Sequence, residues 1–139
     1  MGASAQWTVI YDADCGFCRW SLAQLLSWDR DHQLRPVPLG SEEADHLLAD
    51  LTPEQRESSW HVVSPTGRRW SAGEAAPPLL EVLPGGQIPA RLLAAFPTAT
   101  ERTYRWVADH RSAFSRLIGD KAKARAAERV AQAAASAGS

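Results

Sequence analysis

The residues in this chain best suited to chemistry lie between Tyr11 and Trp20, YDADCGFCRW, where Cys15 and Cys18 stand three positions apart and are the two cysteines of the sequence. Three chemistries use such a pair. A structural zinc needs four ligands, and beyond the two thiols the sequence offers His32, His46, His61 and His110. None of these is spaced as a second ligand pair, so each reads as a lone surface histidine. A structural disulfide closing so short a loop gains little chain entropy and does not persist in a reducing compartment. The third chemistry is a redox dithiol, because at a helix N-terminus the free backbone N–H groups and the macrodipole stabilise a thiolate. Cys15 falls at such a start, and Cys18 one turn along on the apolar stripe. That order makes Cys15 the nucleophile and Cys18 the resolving thiol.

Two carboxylates, Asp12 and Asp14, flank the thiols and oppose thiolate formation, while the helix terminus and Arg19 favour it. Asp14 reads as a helix cap and Asp12 as a strand-end residue satisfying turn amides. Against that stands a catalytic role, such as Asp12 taking the proton from Cys18 during resolution. The candidate catalytic set is therefore Cys15, Cys18, Asp12 and Asp14.

These residues need a strand and a helix to hold them. Trp7 to Asp12, WTVIYD, is rich in β-branched and aromatic residues and reads as a buried strand. Cys18, Leu22, Leu25 and Leu26 share one face of a helix from Gly16 to Arg30, so the CxxC lies where strand turns into helix. Leu34 to Leu39 carries Pro36 and Pro38, which lack an N–H to donate, and is expected as an edge strand. Ser41 to Leu51 reads as a second helix, and Thr52 to Gln55, TPEQ, as a capped helix start. WHVVS from Trp60 and RRWS from Arg68 form a hairpin around PTG. A Pro-interrupted helix follows at Leu79 to Leu83, then a turn at Gly85 and Gly86, then a helical stretch from Thr100 to Ile118.

The order β-α-β-α-β-β-α with an extra helix gives an α/β domain with a mixed four-stranded sheet. Residues 1–119 are expected as the domain, and residues 120–139 as an Ala-rich tail forming a weak, solvated or fraying helix. Core packing is the default for all six tryptophans, and the alternative for Trp20 and Trp28, which lie off the main leucine stripe of the first helix, is the floor of a protein-binding surface near the thiols. On the closing helix Tyr104, Val107, Arg111, Phe114 and Ile118 share one face. Arg111 there either pairs with Asp12 or Asp14 or, as the favoured reading, snorkels into water or pairs elsewhere.

With 139 residues, 45% apolar content and a formal net charge of -1, the composition fits one globular domain and gives no electrostatic footprint for nucleic acid. No run approaches the roughly 18 apolar residues of a membrane span, and MGASAQWTVIYD has no secretory pattern, so a cytoplasmic monomer is expected. Met1 and Gly2 open like a myristoylation site, but Gln6 stands where a hydroxyl residue belongs.

YDADCGFC resembles the opening signature of the DCC family of thiol-disulfide oxidoreductases, usually written YDGxCxxC, with Asp12, Cys15 and Cys18 matching and Ala13 in place of the glycine. SPTGRRWSAGEA, from Ser64 to Ala75, looks like that family's strand, turn and helix start, and Tyr104 and Arg111 resemble the Tyr and Arg of its closing helix. The resemblance runs from about Trp7 to Ile118. It implies a thioredoxin-like fold and a dithiol that exchanges electrons with a disulfide-containing protein or small thiol substrate, with no dissociable cofactor. Thioredoxins place a cis-proline before the third strand; here Ser58 and Ser59 stand there. The alternative is a thioredoxin-like binding or redox-sensing module without turnover.

Overall fold

A computed structural model of the chain describes residues 6–137. Met1 and Gly2, with the myristoylation reading they raised, lie outside the described residues. The elements are β1 (Trp7–Tyr11), α1 (Gly16–Trp28), β2 (Leu34–Pro38), α2 (Glu42–Leu47), α3 (Pro53–Glu57), β3 (His61–Val63) and β4 (Arg69–Ser71). A 3-10 turn (Ala72–Ala75) then leads into α4 (Ala76–Val82), α5 (Gln87–Ala95), α6 (Pro97–Asp109), α7 (Arg111–Leu117) and α8 (Asp120–Ala137). The four strands form one mixed sheet in the order β2-β1-β3-β4, β1 parallel to β2 and antiparallel to β3. This is the thioredoxin-like α/β arrangement expected from the element order.

β1 alternates faces, as a central strand must. Val9 packs with Leu22, Leu26, Val62, Leu79 and Leu83 on the side covered by α1 and α4, while Ile10 packs with Val37, Ala44, Leu48 and Val63 on the side covered by α2. Both layers fix where β1 ends and hence where the cysteines start. β2 is an edge strand, as its two prolines require. The turn into β2 is held by Asp29, whose buried carboxylate accepts the N–H groups of Gln33 and Leu34 at 2.9 and 2.8 Å. The start of α3 carries the expected reciprocal cap, Thr52 and Gln55 each accepting the other's backbone N–H.

Four expectations are corrected. The tail does not make a solvated helix: α8 lies against α1, and Ala126 and Val130 are 4% exposed in the same core as Leu22 and Leu26. Small side chains let two helices approach closely, so a face without bulk can still be a packing face. The stretch from Thr100 to Ile118 is two helices, broken at His110, whose N–H is shared between the carbonyls of Trp106 and Val107. Ahead of it, between the turn at Gly85 and Gly86 and Thr100, α5 is a helix for which the sequence carried no assignment. His61 is buried, not a surface histidine: its Nδ1 lies 2.6 Å from Ser71 Oγ and its Nε2 3.0 Å from the Arg56 carbonyl. Burial holds its pKa below the ordinary histidine value.

The packing of α8 is testable by truncating one side chain on its inner face. Val130→Ala should cost about 2 kcal/mol of unfolding free energy in urea, the range for a buried large-to-small change. A cost below about 0.5 kcal/mol would show α8 to be solvated after all.

Candidate active site

Cys15 is itself the N-cap of α1, a place the sequence reading gave to Asp14. Its backbone is extended (φ -99, ψ 113), and its Sγ accepts the N–H of Cys18 at 3.2 Å, the position an Asp or Ser oxygen usually takes. The Cys18 sulfur lies against the same atom, Sγ to Sγ at 2.6 Å. Both cysteines are free thiols and partly exposed. Cys15 thus takes the N–H at the helix start, and Cys18 lies one turn along beside it. Burial pushes the Cys18 thiol up to about 12; the hydrogen bond to Cys15 and the charges of Cys15 and Asp12 add to this, and only Arg111 opposes it.

The start of α1 is closely approached from two sides. A Cβ on Gly16 would lie 2.9 Å from Ser115 Oγ of α7 and 3.2 Å from Lys123 Cε of α8, so a glycine between the cysteines lets both helices close on the motif. Phe17 is stacked on Phe114 of α7 at 5.2 Å and on Trp20 at 6.3 Å between ring centres. It therefore packs, while also facing the cavity described below.

The two aspartates separate. Asp12 Oδ1 accepts the N–H of Asp14 at 3.0 Å, which ties the turn that leads to Cys15, and Asp12 Oδ2 faces Arg111 at 3.9 Å. The pairing of Arg111 with Asp12 replaces the favoured expectation that it snorkels or pairs elsewhere, because the break at His110 restarts the helix at Arg111. Asp14 is exposed and its side chain takes no part in these contacts.

Beside Cys18 lies a cavity of about 500 Å³. Its walls come from α1 (Phe17, Trp20, Leu25), from α6 (Tyr104, Val107) and from Ser58, Ser59 and Trp60, with Asp12 and Arg111 at one end. Cys18 borders it and Cys15 is not among its lining residues. The serines that stand in place of the thioredoxin proline thus line the same cavity as Cys18. Trp60 is fixed there, since its N–H donates to Tyr104 Oη at 3.1 Å and its Nε1 to the Ala72 carbonyl at 2.8 Å. Burial raises the Tyr104 hydroxyl above the ordinary tyrosine value, so it stays protonated at neutral pH. Sequence reasoning missed this cavity, for Ser58, Trp60 and Val107 meet only through tertiary packing. Trp28, by contrast, is a packing residue, its Nε1 donating to the Pro84 carbonyl at 2.6 Å.

No helix of the described residues is long and apolar enough to cross a membrane. The family model for DCC1-like thiol-disulfide oxidoreductases matches residues 9–117, more than three quarters of the chain, and the chain belongs to that family. No curated protein and no solved structure matches it. The match contains both cysteines and every residue named around the cavity, and it ends before α8.

The order of thiol reactivity checks this geometry. With the reduced protein, the first equivalent of iodoacetamide should modify Cys15 between about pH 6 and pH 9, because the thiolate is the reacting form and the raised Cys18 thiol stays protonated there. Peptide mapping that found Cys18 modified first would contradict this order of the two thiols.

Proposed function

We propose that this member of the family is a dithiol-disulfide exchange enzyme in which Cys15 attacks and Cys18 resolves. The observation that carries the reading is the placement of the pair at the start of α1, with the Cys18 backbone N–H donating to the Cys15 sulfur and the two sulfurs side by side. In the reducing direction the Cys15 thiolate attacks one sulfur of a substrate disulfide, forming a mixed disulfide and releasing the other half as a thiolate that takes up a proton. Cys18 then loses its proton and attacks Cys15, which forms the Cys15–Cys18 disulfide and releases the second half. Two electrons pass to the substrate, and of the two protons its halves take up, one originates on Cys18 and one in solvent. The reverse sequence oxidises a substrate dithiol through the same intermediates.

A thiol held up to about 12 needs help to become a nucleophile at the second step. Formation of the mixed disulfide removes the negative charge on Cys15, and with it one cause of the raised value. Asp12, which borders the same cavity, is assigned the role of proton acceptor, with Arg111 holding its carboxylate in place. Asp14 contributes through its backbone, by orienting Asp12. The reading takes a disulfide-containing protein or small molecule as substrate, and a cytoplasmic, monomeric setting, with no cofactor beyond the two thiols.

Single-turnover reduction of bis(hydroxyethyl) disulfide, followed by intact mass, separates the two steps. Cys18→Ser should stop at a stable adduct on Cys15, and Asp12→Asn should slow the resolving step roughly a hundredfold, the scale of one positioned proton transfer. No adduct in Cys18→Ser would remove the exchange reading and favour a binding module; unchanged resolution in Asp12→Asn would remove Asp12 as the acceptor.

A further inference from the structure

The cavity beside Cys18 has a chemistry of its own. About 500 Å³ lies within the usual range of small-molecule sites, roughly 300–1,000 Å³. Its walls are mostly apolar, with Phe17, Trp20, Leu25 and Val107 as the large contributors. At one end stands Arg111, the single cation among the described lining residues. The Asp12 oxygen nearest to it is 3.9 Å away, beyond hydrogen-bond range, and among the described residues the Arg111 guanidinium donates no hydrogen bond. A guanidinium carries five N–H donors in a planar fork, so this one has donors to offer a second anion.

The wall formed by Trp60 argues against an extended peptide as occupant. Peptides that dock beside a strand pair with free backbone groups, yet the Trp60 N–H is taken by Tyr104 Oη and the Trp60 carbonyl accepts the Ala72 N–H at 3.3 Å and the Ser59 hydroxyl at 3.0 Å. No ladder position is left at Trp60. The occupant is held by shape, apolar contact and one charge.

We infer that the cavity is a substrate subsite for a low-molecular-weight disulfide, one half of which is an apolar, ring-sized body carrying an anionic group. The ring lies between Phe17, Trp20 and Val107, and the anion meets Arg111 in a charge-assisted, forked contact. Bound there, the substrate half sits against Cys18 with its sulfur toward Cys15, and after the first exchange it remains in place until Cys18 releases it. Glutathione disulfide, polar along its whole length, leaves these walls unfilled. This assignment rests on the exchange reading for its redox step, but the binding it requires is measurable without turnover.

The probes are two fluorescent ligands of one ring system, anilinonaphthalene sulfonate and the uncharged N-phenylnaphthylamine, titrated into the reduced full-length protein. The sulfonate ligand should bind at one saturable site. Arg111→Gln should weaken it about tenfold while moving the neutral ligand by less than about twofold, the difference a lost charged hydrogen-bonded contact makes. Val107→Trp, which fills the cavity from α6, should abolish both. Sulfonate binding indifferent to Arg111→Gln would overturn the anion contact. Binding of both ligands indifferent to Val107→Trp would place them on the exposed Ile88, Leu92 and Phe96 stripe and overturn the subsite. Cys15→Ser, which cannot exchange, should bind both ligands as the native chain does, so binding stands or falls separately from exchange. In kinetics, dithiobis-nitrobenzoate, an aromatic disulfide with carboxylates, should be preferred to glutathione disulfide, and Arg111→Gln should reduce that preference about tenfold. An unchanged preference would count against Arg111 as the selecting residue.

Discussion

The first turn of a helix must find acceptors for its unpaired N–H groups, and here one of those acceptors is a sulfur. That substitution orders the rest of the site. With Cys15 as the cap, Cys18 is placed one turn along with its N–H aimed at the Cys15 sulfur, and its thiol falls within reach of the same atom. A sulfur is a weak acceptor beside a carboxylate or hydroxyl oxygen, so the cap contributes less to the helix than Asp or Ser would. The fold compensates by clamping α1 from outside: β1 and α4 beneath it, α8 along its length, and α7 against Gly16. A weak cap is tolerable when packing, not capping, holds the helix.

The same constraint explains the shape of the cavity. A cap at Cys15 commits the chain from Tyr11 to Asp14 to a tight turn, which Asp12 closes by accepting the Asp14 N–H. The remaining Asp12 oxygen then faces outward toward α7, where the break at His110 sets Arg111. Unbroken helix through residue 118 would continue the axis of α6. Instead the chain turns, and Phe114 reaches Phe17 while Trp106 stays partly in water, edge-on to Phe114 at 5.8 Å. The cavity is the space left between α1, this bent pair of helices and the segment before β3. Its apolar walls raise the Cys18 thiol and shield it, so one feature serves both the proton and the ligand.

Much of this was legible in the residues because it is local. The strand at Trp7, the helix starting at Gly16, the edge position of the proline-bearing strand and the Thr52 and Gln55 cap all follow from short-range pattern. What escaped depends on contacts between distant segments. α8 has no bulky face, so its burial through Ala126 and Val130 carries no periodic signal. β3 is buried on both faces, HVV throughout, so alternation says nothing about which way His61 points. A single helical face drawn from Tyr104 to Ile118 ignored a break that no proline or glycine marks, and with it the meeting of Arg111 and Asp12. Asp14 took the cap in sequence because its side chain is the better acceptor, whereas the cap is set by where the backbone turns helical.

The central claim is that Cys15 and Cys18 form a reversible redox centre, and equilibrium titration of the full chain in glutathione and dithiothreitol buffers, read by alkylation and mass shift, tests it most directly. The account predicts one cooperative two-electron transition to an intramolecular disulfide, at a potential between about -270 and -120 mV, the span of known exchange proteins. Glutathione adducts at either thiol with no Cys15–Cys18 disulfide at any poise would contradict it.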